Sequence, residues 1–154
     1  ANSGHDSPLY LDPADPLQAG SIDFSIQNYY MTQRGVPANK LVAGIPFYGK
    51  EFAKASEPYQ PFKGLVKTMR YDEIMEMSGF TVKWDPVAYA SYLSKSTSFI
   101  TYSNEMAVTE VCLYAKSKGI RYFLNTWICL FLKIFSGAIK ILFQRNYYFF
   151  FFCC

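Results

Sequence analysis

The 154-residue sequence predicts an α/β fold, because helix patterns and strand patterns alternate along it. Residues 21–33 have apolar side chains at helical spacing, and after a short loop residues 41–45 form an apolar run without alternation. The same order returns with a helical stripe over 103–118 and a strand pattern over 120–127. Continuous apolar runs are typical of parallel strands that are buried on both faces. The sequence therefore predicts two helix–strand pairs that share a parallel sheet.

The first helix is predicted from its boundary residues. Residues 1–20 are interrupted by glycine and proline and are expected to form a loop. Ser21 is a suitable N-cap, and Asp23 places a negative charge in the first turn. Gly35 and Pro37 then end the helix in the usual order.

The chain between the two helix–strand pairs, about 53–102, is predicted to form a small α+β insertion. Residues 53–70 show no regular pattern, whereas the remainder has short alternating segments. The predicted elements are a helix over 71–77 and strands over 81–84, 88–92 and 99–102.

The second helix is predicted to begin at Ser103, with Glu105 in its first turn. Gly119 is expected to end it. Its apolar stripe consists of Val108, Val111, Cys112 and Ala115.

Charge is distributed unevenly along the chain. Residues 1–110 hold all twelve acids and nine of the fifteen bases, whereas 111–154 hold six bases and no acid. A basic aromatic tail can bind nucleic acid or an anionic membrane. The bases are sparse and no nucleic-acid-binding motif is present, so no nucleic-acid partner is expected.

Residues 128–154 are hydrophobic and basic and allow two interpretations. The longest uncharged run near them, 122–132, is too short to span a bilayer, but 134–143 could form an amphipathic helix at a membrane surface. The preferred interpretation is unrelated or aberrant sequence, since the four consecutive phenylalanines match translation of a thymidine-rich stretch. No signal peptide pattern opens the chain.

The cysteines suggest no metal site and no disulfide framework. Their spacing matches neither pattern, so buried or incidental thiols are expected, and no cofactor is predicted. They are Cys112, Cys129, Cys153 and Cys154.

The stretch 35–50, with the sequence GVPANKLVAGIPFYGK, closely resembles the seventh strand of family-18 glycoside hydrolases, the chitinases and their relatives. The family pattern there reads roughly G-x-P-x-x-K-L-x-x-G-x-P-x-Y-G-R, and almost every fixed position is met. The resemblance extends over residues 4–127. Further segments that resemble the family, in the same order, are 4–10, 71–74, 84–85, 99–102, 114–120 and Trp127.

The resemblance implies an incomplete eight-stranded (β/α)8 barrel. Residues 1–127 would supply its last two β/α units, with the insertion at about 53–102, and 128–154 would lie outside it. A barrel of this kind needs about 250 residues. The parent protein would be a secreted or extracellular hydrolase of β-1,4-linked N-acetylglucosamine polymers such as chitin.

The family's catalytic motif is not found in this sequence. Family-18 enzymes use the substrate's N-acetyl group as nucleophile and one Glu as acid, in a D-x-x-D-x-D-x-E motif on the fourth strand. The nearest start is Asp12 and Asp15, but Leu17 and Ala19 follow where Asp and Glu are required. The chain is therefore expected to be inactive alone. Two alternatives remain open: a non-catalytic chitinase-like carbohydrate-binding protein, and a truncated product bound at a membrane surface.

The resemblance implies four sugar-binding residues, and each has a structural alternative. Trp127 matches the tryptophan at the floor of the cleft, where an indole can stack on a sugar ring; alternatively it is a core residue. Tyr48 matches a tyrosine whose hydroxyl reaches the substrate, or is a packed aromatic. Lys50 replaces the family's arginine and could donate to a sugar oxygen, or is solvated. Glu73 matches a binding carboxylate, or is a surface residue. His5, the only histidine, is interpreted as incidental.

Overall fold

The computed structural model describes residues 1–18 and 20–124 as an α/β structure with two sheets. The strands are β1 (Val42–Ile45), β2 (Tyr48–Ala53), β3 (Lys67–Arg70), β4 (Thr81–Asp85), β5 (Ala90–Lys95), β6 (Ser98–Tyr102) and β7 (Arg121–Leu124). β1 and β7 form a parallel pair, and the other five form an antiparallel sheet in the order β3-β2-β6-β5-β4. The α/β class predicted from the sequence is confirmed in the described residues.

The first helix begins at the predicted residue but changes its type. Ser21 Oγ accepts a hydrogen bond of 3.1 Å from the Phe24 N–H, which caps the helix α1 (Ile22–Phe24). The chain then continues as a π-helix, Ser25–Gln33, where the wider turn is reinforced by Thr32 Oγ1, which donates to the Gln27 carbonyl five residues earlier. The predicted helix is therefore present up to Gln33, but beyond Phe24 it is a π-helix and not the α-helix that its spacing indicates.

In the parallel pair of β1 and β7, Val42 lies opposite Arg121 and Ile45 lies opposite Leu124. Ile45 and Ala43 are each 3% exposed, but Gly44 between them is exposed. β1 therefore buries one face only, in contrast to the two buried faces that its apolar run predicts. The physical reason is that helices pack against one face of the pair, and no described residue covers Gly44.

The core beside this pair is apolar. The side chains of β1 pack between the first helical segment and the helix α3 (Glu105–Ser117). The buried members of this cluster are Leu9, Ile26, Leu41, Ala43, Ile45, Val111, Tyr114, Ala115 and Ile120.

The helix α3 is capped by Asn104, not by the predicted Ser103. The Asn104 side chain accepts a hydrogen bond of 3.0 Å from the Ala107 N–H. At the other end, Gly119 has a φ of 66°, and the N–H of Ile120 donates to the carbonyl of Ala115 over 3.0 Å. This glycine-dependent arrangement closes the helix as predicted.

The five-stranded sheet runs from Tyr48 to Tyr102 and starts earlier than the predicted insertion. The short helix α2 (Tyr71–Met75) packs on one face, where Ile74 and Ile100 are buried. The loop after β2 covers the opposite face around Phe99. β2 and β3 were not predicted, because charged residues interrupt any apolar pattern: Lys50 and Glu51 in β2, and Lys67 and Arg70 at exposed positions of β3.

The structure does not describe residues 125–154. The predicted tail, 128–154, and the predicted floor residue Trp127 therefore lie outside the described residues. Within the part that is described, no helix is long and apolar enough to cross a membrane.

Candidate functional site

The N-terminal loop lies across the five-stranded sheet and is bonded to it repeatedly. Ser3 Oγ donates to the carbonyls of Glu57 and Gln60 over 2.9 and 3.1 Å. Further along, the Tyr10 N–H donates to the Ala88 carbonyl over 3.1 Å. The loop therefore connects the antiparallel sheet with the α/β core, in which Leu9 is buried.

His5 is one of the most enclosed side chains of this loop. Its side chain is 1% exposed, and Nε2 lies 3.0 Å from Asp85 Oδ2 at the end of β4. The imidazole also packs edge-on against Tyr59, Tyr92 and Phe99, with ring centroids 5.8 to 6.0 Å apart. His5 was not expected to act as a base or ligand, and the structure gives it a structural role that was not predicted, since it joins the loop to the sheet.

Asp85 is held as a carboxylate by three donors. Burial alone would raise its pKa, but the hydrogen bonds from His5 and from the Ala88 and Val87 N–H groups outweigh burial and lower the pKa of Asp85 to about 2. The two backbone bonds are 3.0 and 2.9 Å long. The stabilisation from this carboxylate is therefore present above its ordinary pKa and is lost as the pH falls towards 2.

Tyr48 and Lys50 lie on the same strand, two positions apart, so their side chains project from the same face of β2. Lys50 Nζ forms an ion pair with Asp6 Oδ1 of the N-terminal loop. The Lys50 side chain is 23% exposed and that of Asp6 is 7% exposed. The Asp6 carboxylate is therefore shielded from water, whereas the Lys50 side chain remains partly exposed.

Asp6 is anchored through its backbone as well. Its N–H donates to Thr101 Oγ1 over 3.1 Å, and Thr101 is the residue of β6 that lies opposite Lys50. The ion pair therefore spans the loop and two adjacent strands. No feature of the local sequence pattern predicts Asp6, because its partner and its anchor are both distant in the chain.

A small cavity of about 10 Å³ lies at the carboxyl end of β1. Asp6, Pro46, Tyr48 and Ser103 are among the residues that line it. Barrel enzymes place their chemistry at the carboxyl ends of the strands. The structure thus brings Tyr48 and Asp6 together at this cavity, and Lys50 reaches Asp6 from β2.

The sequence of residues 1–127 matches the model of a known protein family. The model of glycosyl hydrolases family 18 matches residues 1–127. The chain belongs to this family. The resemblance carried by residues 35–50 is thereby confirmed.

Relatives within family 18 are chitinases by name. Endochitinase 1 of Metarhizium robertsii is 34% identical in an alignment of 128 residues, which covers 77% of this chain and 30% of that protein. The chain thus spans about 30% of the length of this curated relative. The resemblance to chitinases therefore concerns only a part of them.

Solved family-18 structures have the same fold in the matched part. An N-acetylglucosaminidase from Paenibacillus barengoltzii superposes with a TM-score of 0.71 at 26% identity, covering 80% of this chain and 39% of the other. A mutant chitinase of Cycas revoluta in complex with (GlcNAc)4 superposes with a TM-score of 0.70 at 23% identity, covering 81% and 38%. These neighbours show that the matched part of the chain has the fold of family-18 proteins.

Glu73 does not line the cavity and lies on the short helix that follows β3. It is exposed on α2, and its carboxylate accepts a hydrogen bond of 3.0 Å from the Arg70 N–H at the start of that helix. Arg70 is opposite Tyr48 in the β2–β3 register. The helix therefore begins beside the strand that holds Tyr48, and one oxygen of Glu73 caps it.

The remaining predicted site residue, Trp127, lies outside the described residues, so its position relative to Tyr48 is not part of the observed geometry. Over residues 1–18 and 20–124, no three His, Cys, Asp or Glu side chains are grouped to hold a metal ion. The described part of the site thus brings together Tyr48, Lys50 and Asp6, whereas Glu73 has no described contact with them.

Proposed function

We propose that the chain forms one side of a cleft that binds N-acetylglucosamine oligomers in a family-18 barrel. The convergence of Tyr48 and Lys50 on Asp6 at the carboxyl end of β1 supports this proposal most strongly. The tyrosine hydroxyl and the lysine ammonium are donors suited to sugar oxygens. Glu73 and Trp127 complete the proposed set, the first as an acceptor and the second as a stacking surface.

The proposal treats residues 1–127 as the last two β/α units of a larger barrel. β1 and β7 are a two-stranded parallel pair with Gly44 exposed, whereas parallel sheets are normally covered on both faces. The matched relatives extend well beyond the matched segment, since it covers 30% of the Metarhizium enzyme. A further set of strands would cover the exposed face of β1.

Binding without hydrolysis is the activity proposed for this chain. The D-x-x-D-x-D-x-E motif that supplies the acid is not found in its sequence. Substrate-assisted cleavage of β-1,4-N-acetylglucosamine links would then belong to the longer, secreted barrel. A non-catalytic chitinase-like binding protein is the alternative that shares the same cleft. Attachment to a membrane surface through 128–154 would be a separate property of the tail.

Calorimetric titration with chitotetraose tests the proposal. The 154-residue chain is expected to bind the tetrasaccharide saturably, and Trp127→Ala is expected to weaken binding about tenfold or more, because a stacking ring is lost. Trp84→Phe is the matched control, since Trp84 lies on β4 and packs against Tyr89. This variant should bind like the wild type.

A second assay separates binding from cleavage. Release of reducing ends from chitotetraose is expected to stay at the level of a protein-free control. Turnover above that level would contradict the proposed inactivity. Absence of saturable binding by the wild-type chain would contradict the proposed cleft.

A further inference from the structure

Asp6 has an unused hydrogen-bonding oxygen. One carboxylate oxygen, Oδ1, pairs with Lys50 Nζ, whereas Oδ2 is buried and has no hydrogen-bond partner among the described residues. The side chain as a whole is 7% exposed. A buried carboxylate oxygen without a donor is costly, so such groups usually have a partner.

The carboxylate cannot easily turn away from this position. The Asp6 N–H is bonded to Thr101 Oγ1, and the preceding residue, His5, is fixed to Asp85. Lys50 holds the first oxygen from the strand side. Oδ2 is therefore presented at a fixed place rather than on a mobile loop.

The space next to Asp6 admits a small group only. The cavity of about 10 Å³ that Asp6 and Tyr48 line has room for about one water-sized group. A sugar ring is too large, but a single hydroxyl group fits, and a hydroxyl is the donor that a carboxylate oxygen needs. Hydrogen bonds to charged acceptors are among the stronger ones.

We propose that Asp6 is a further sugar-binding residue, whose Oδ2 accepts a hydrogen bond from one hydroxyl group of an N-acetylglucosamine oligomer. This inference rests on the proposed function and adds a carboxylate to the residues implied by the resemblance. Lys50 then serves two purposes, as a proposed donor to the sugar and as the partner that fixes Asp6.

Calorimetric titration of the 154-residue chain with chitotetraose tests this role. Asp6→Asn keeps the side-chain shape but removes the charge, and it is expected to weaken binding about tenfold. Glu57→Gln is the matched control, because Glu57 forms an ion pair with Lys83 on β4 and does not line the cavity. This control should retain the wild-type dissociation constant.

The variants Lys50→Met and Asp6→Asn/Lys50→Met separate direct binding from an effect through the lysine. Direct acceptance of a hydroxyl predicts that the double variant binds several-fold more weakly than Lys50→Met alone. Equal affinities of these two variants would overturn the proposal, as would wild-type affinity of Asp6→Asn. No binding by the wild-type chain would overturn the proposed function itself, and this inference with it.

Discussion

Gly49→Ala is expected to destabilise the fold by about 3 kcal/mol, because β2 approaches β6 too closely for a side chain at this position. A Cβ atom on Gly49 would lie 2.5 Å from the Thr101 carbonyl oxygen and 2.6 Å from Ile74 Cδ1. The carbonyl belongs to the backbone of the central strand and cannot rotate away. Urea unfolding followed by circular dichroism measures the loss.

Gly4→Ala is the matched control for this substitution. No atom lies within 4 Å of a Cβ at Gly4, and its backbone is outside the left-handed region. Its unfolding free energy should stay within about 0.5 kcal/mol of the wild type. Equal stability of the two alanine variants would contradict the described contact between β2 and β6.

His5→Ala is expected to cost about 3 kcal/mol of unfolding free energy. The substitution leaves a cavity among Tyr59, Tyr92 and Phe99 and removes a hydrogen bond from the partly buried Asp85. Urea unfolding at neutral pH measures this loss of unfolding free energy. In an Asp85→Asn background the same substitution should cost less, since the two residues share one interaction.

The cost of His5→Ala also depends on pH. Because the pKa of Asp85 is lowered to about 2, the stabilisation that the Asp85 carboxylate contributes is complete above about pH 4 and declines between pH 4 and 2. The difference in unfolding free energy between wild type and variant should shrink over that interval. A difference that stays constant from pH 6 to pH 2 would contradict the role of the Asp85 carboxylate.

Short-range patterns predicted the elements whose stability is local. Ser21 could be identified as a cap because its hydroxyl accepts a hydrogen bond from the N–H of Phe24, only three residues further along the chain. Gly119 was identified as a helix end because its positive φ is unfavourable for other residues. The cap of α3 was missed by one position, since Ser103 and Asn104 are both suitable caps and only the folded backbone decides between them.

Long-range contacts were beyond the reach of such patterns. His5 and Asp85 are 80 positions apart, and Asp6 and Thr101 are 95 positions apart. Nothing in the residues around His5 indicates that it is buried. β3 was missed for a related reason, since Lys67–Arg70 becomes a strand by pairing with β2 rather than through its own apolar pattern.

The candidate site was predicted in part. Tyr48 and Lys50 were identified through the family resemblance; in the structure Tyr48 lines the cavity beyond β1, and Lys50 pairs with Asp6, which lines the same cavity. The ion pair with Asp6 was not predicted, because it joins two segments that are adjacent only after the loop has crossed the sheet. The role of the four predicted residues in sugar binding stays a prediction.

The most direct test of the proposed cleft is an NMR titration of the ¹⁵N-labelled chain with chitotetraose, compared with maltotetraose. The proposal predicts that the largest shift changes occur at the backbone amides of Asp6, Tyr48, Lys50 and Glu73, and only with chitotetraose. Changes centred on the opposite end of the parallel pair, around Val42, or equal changes with both sugars would contradict it.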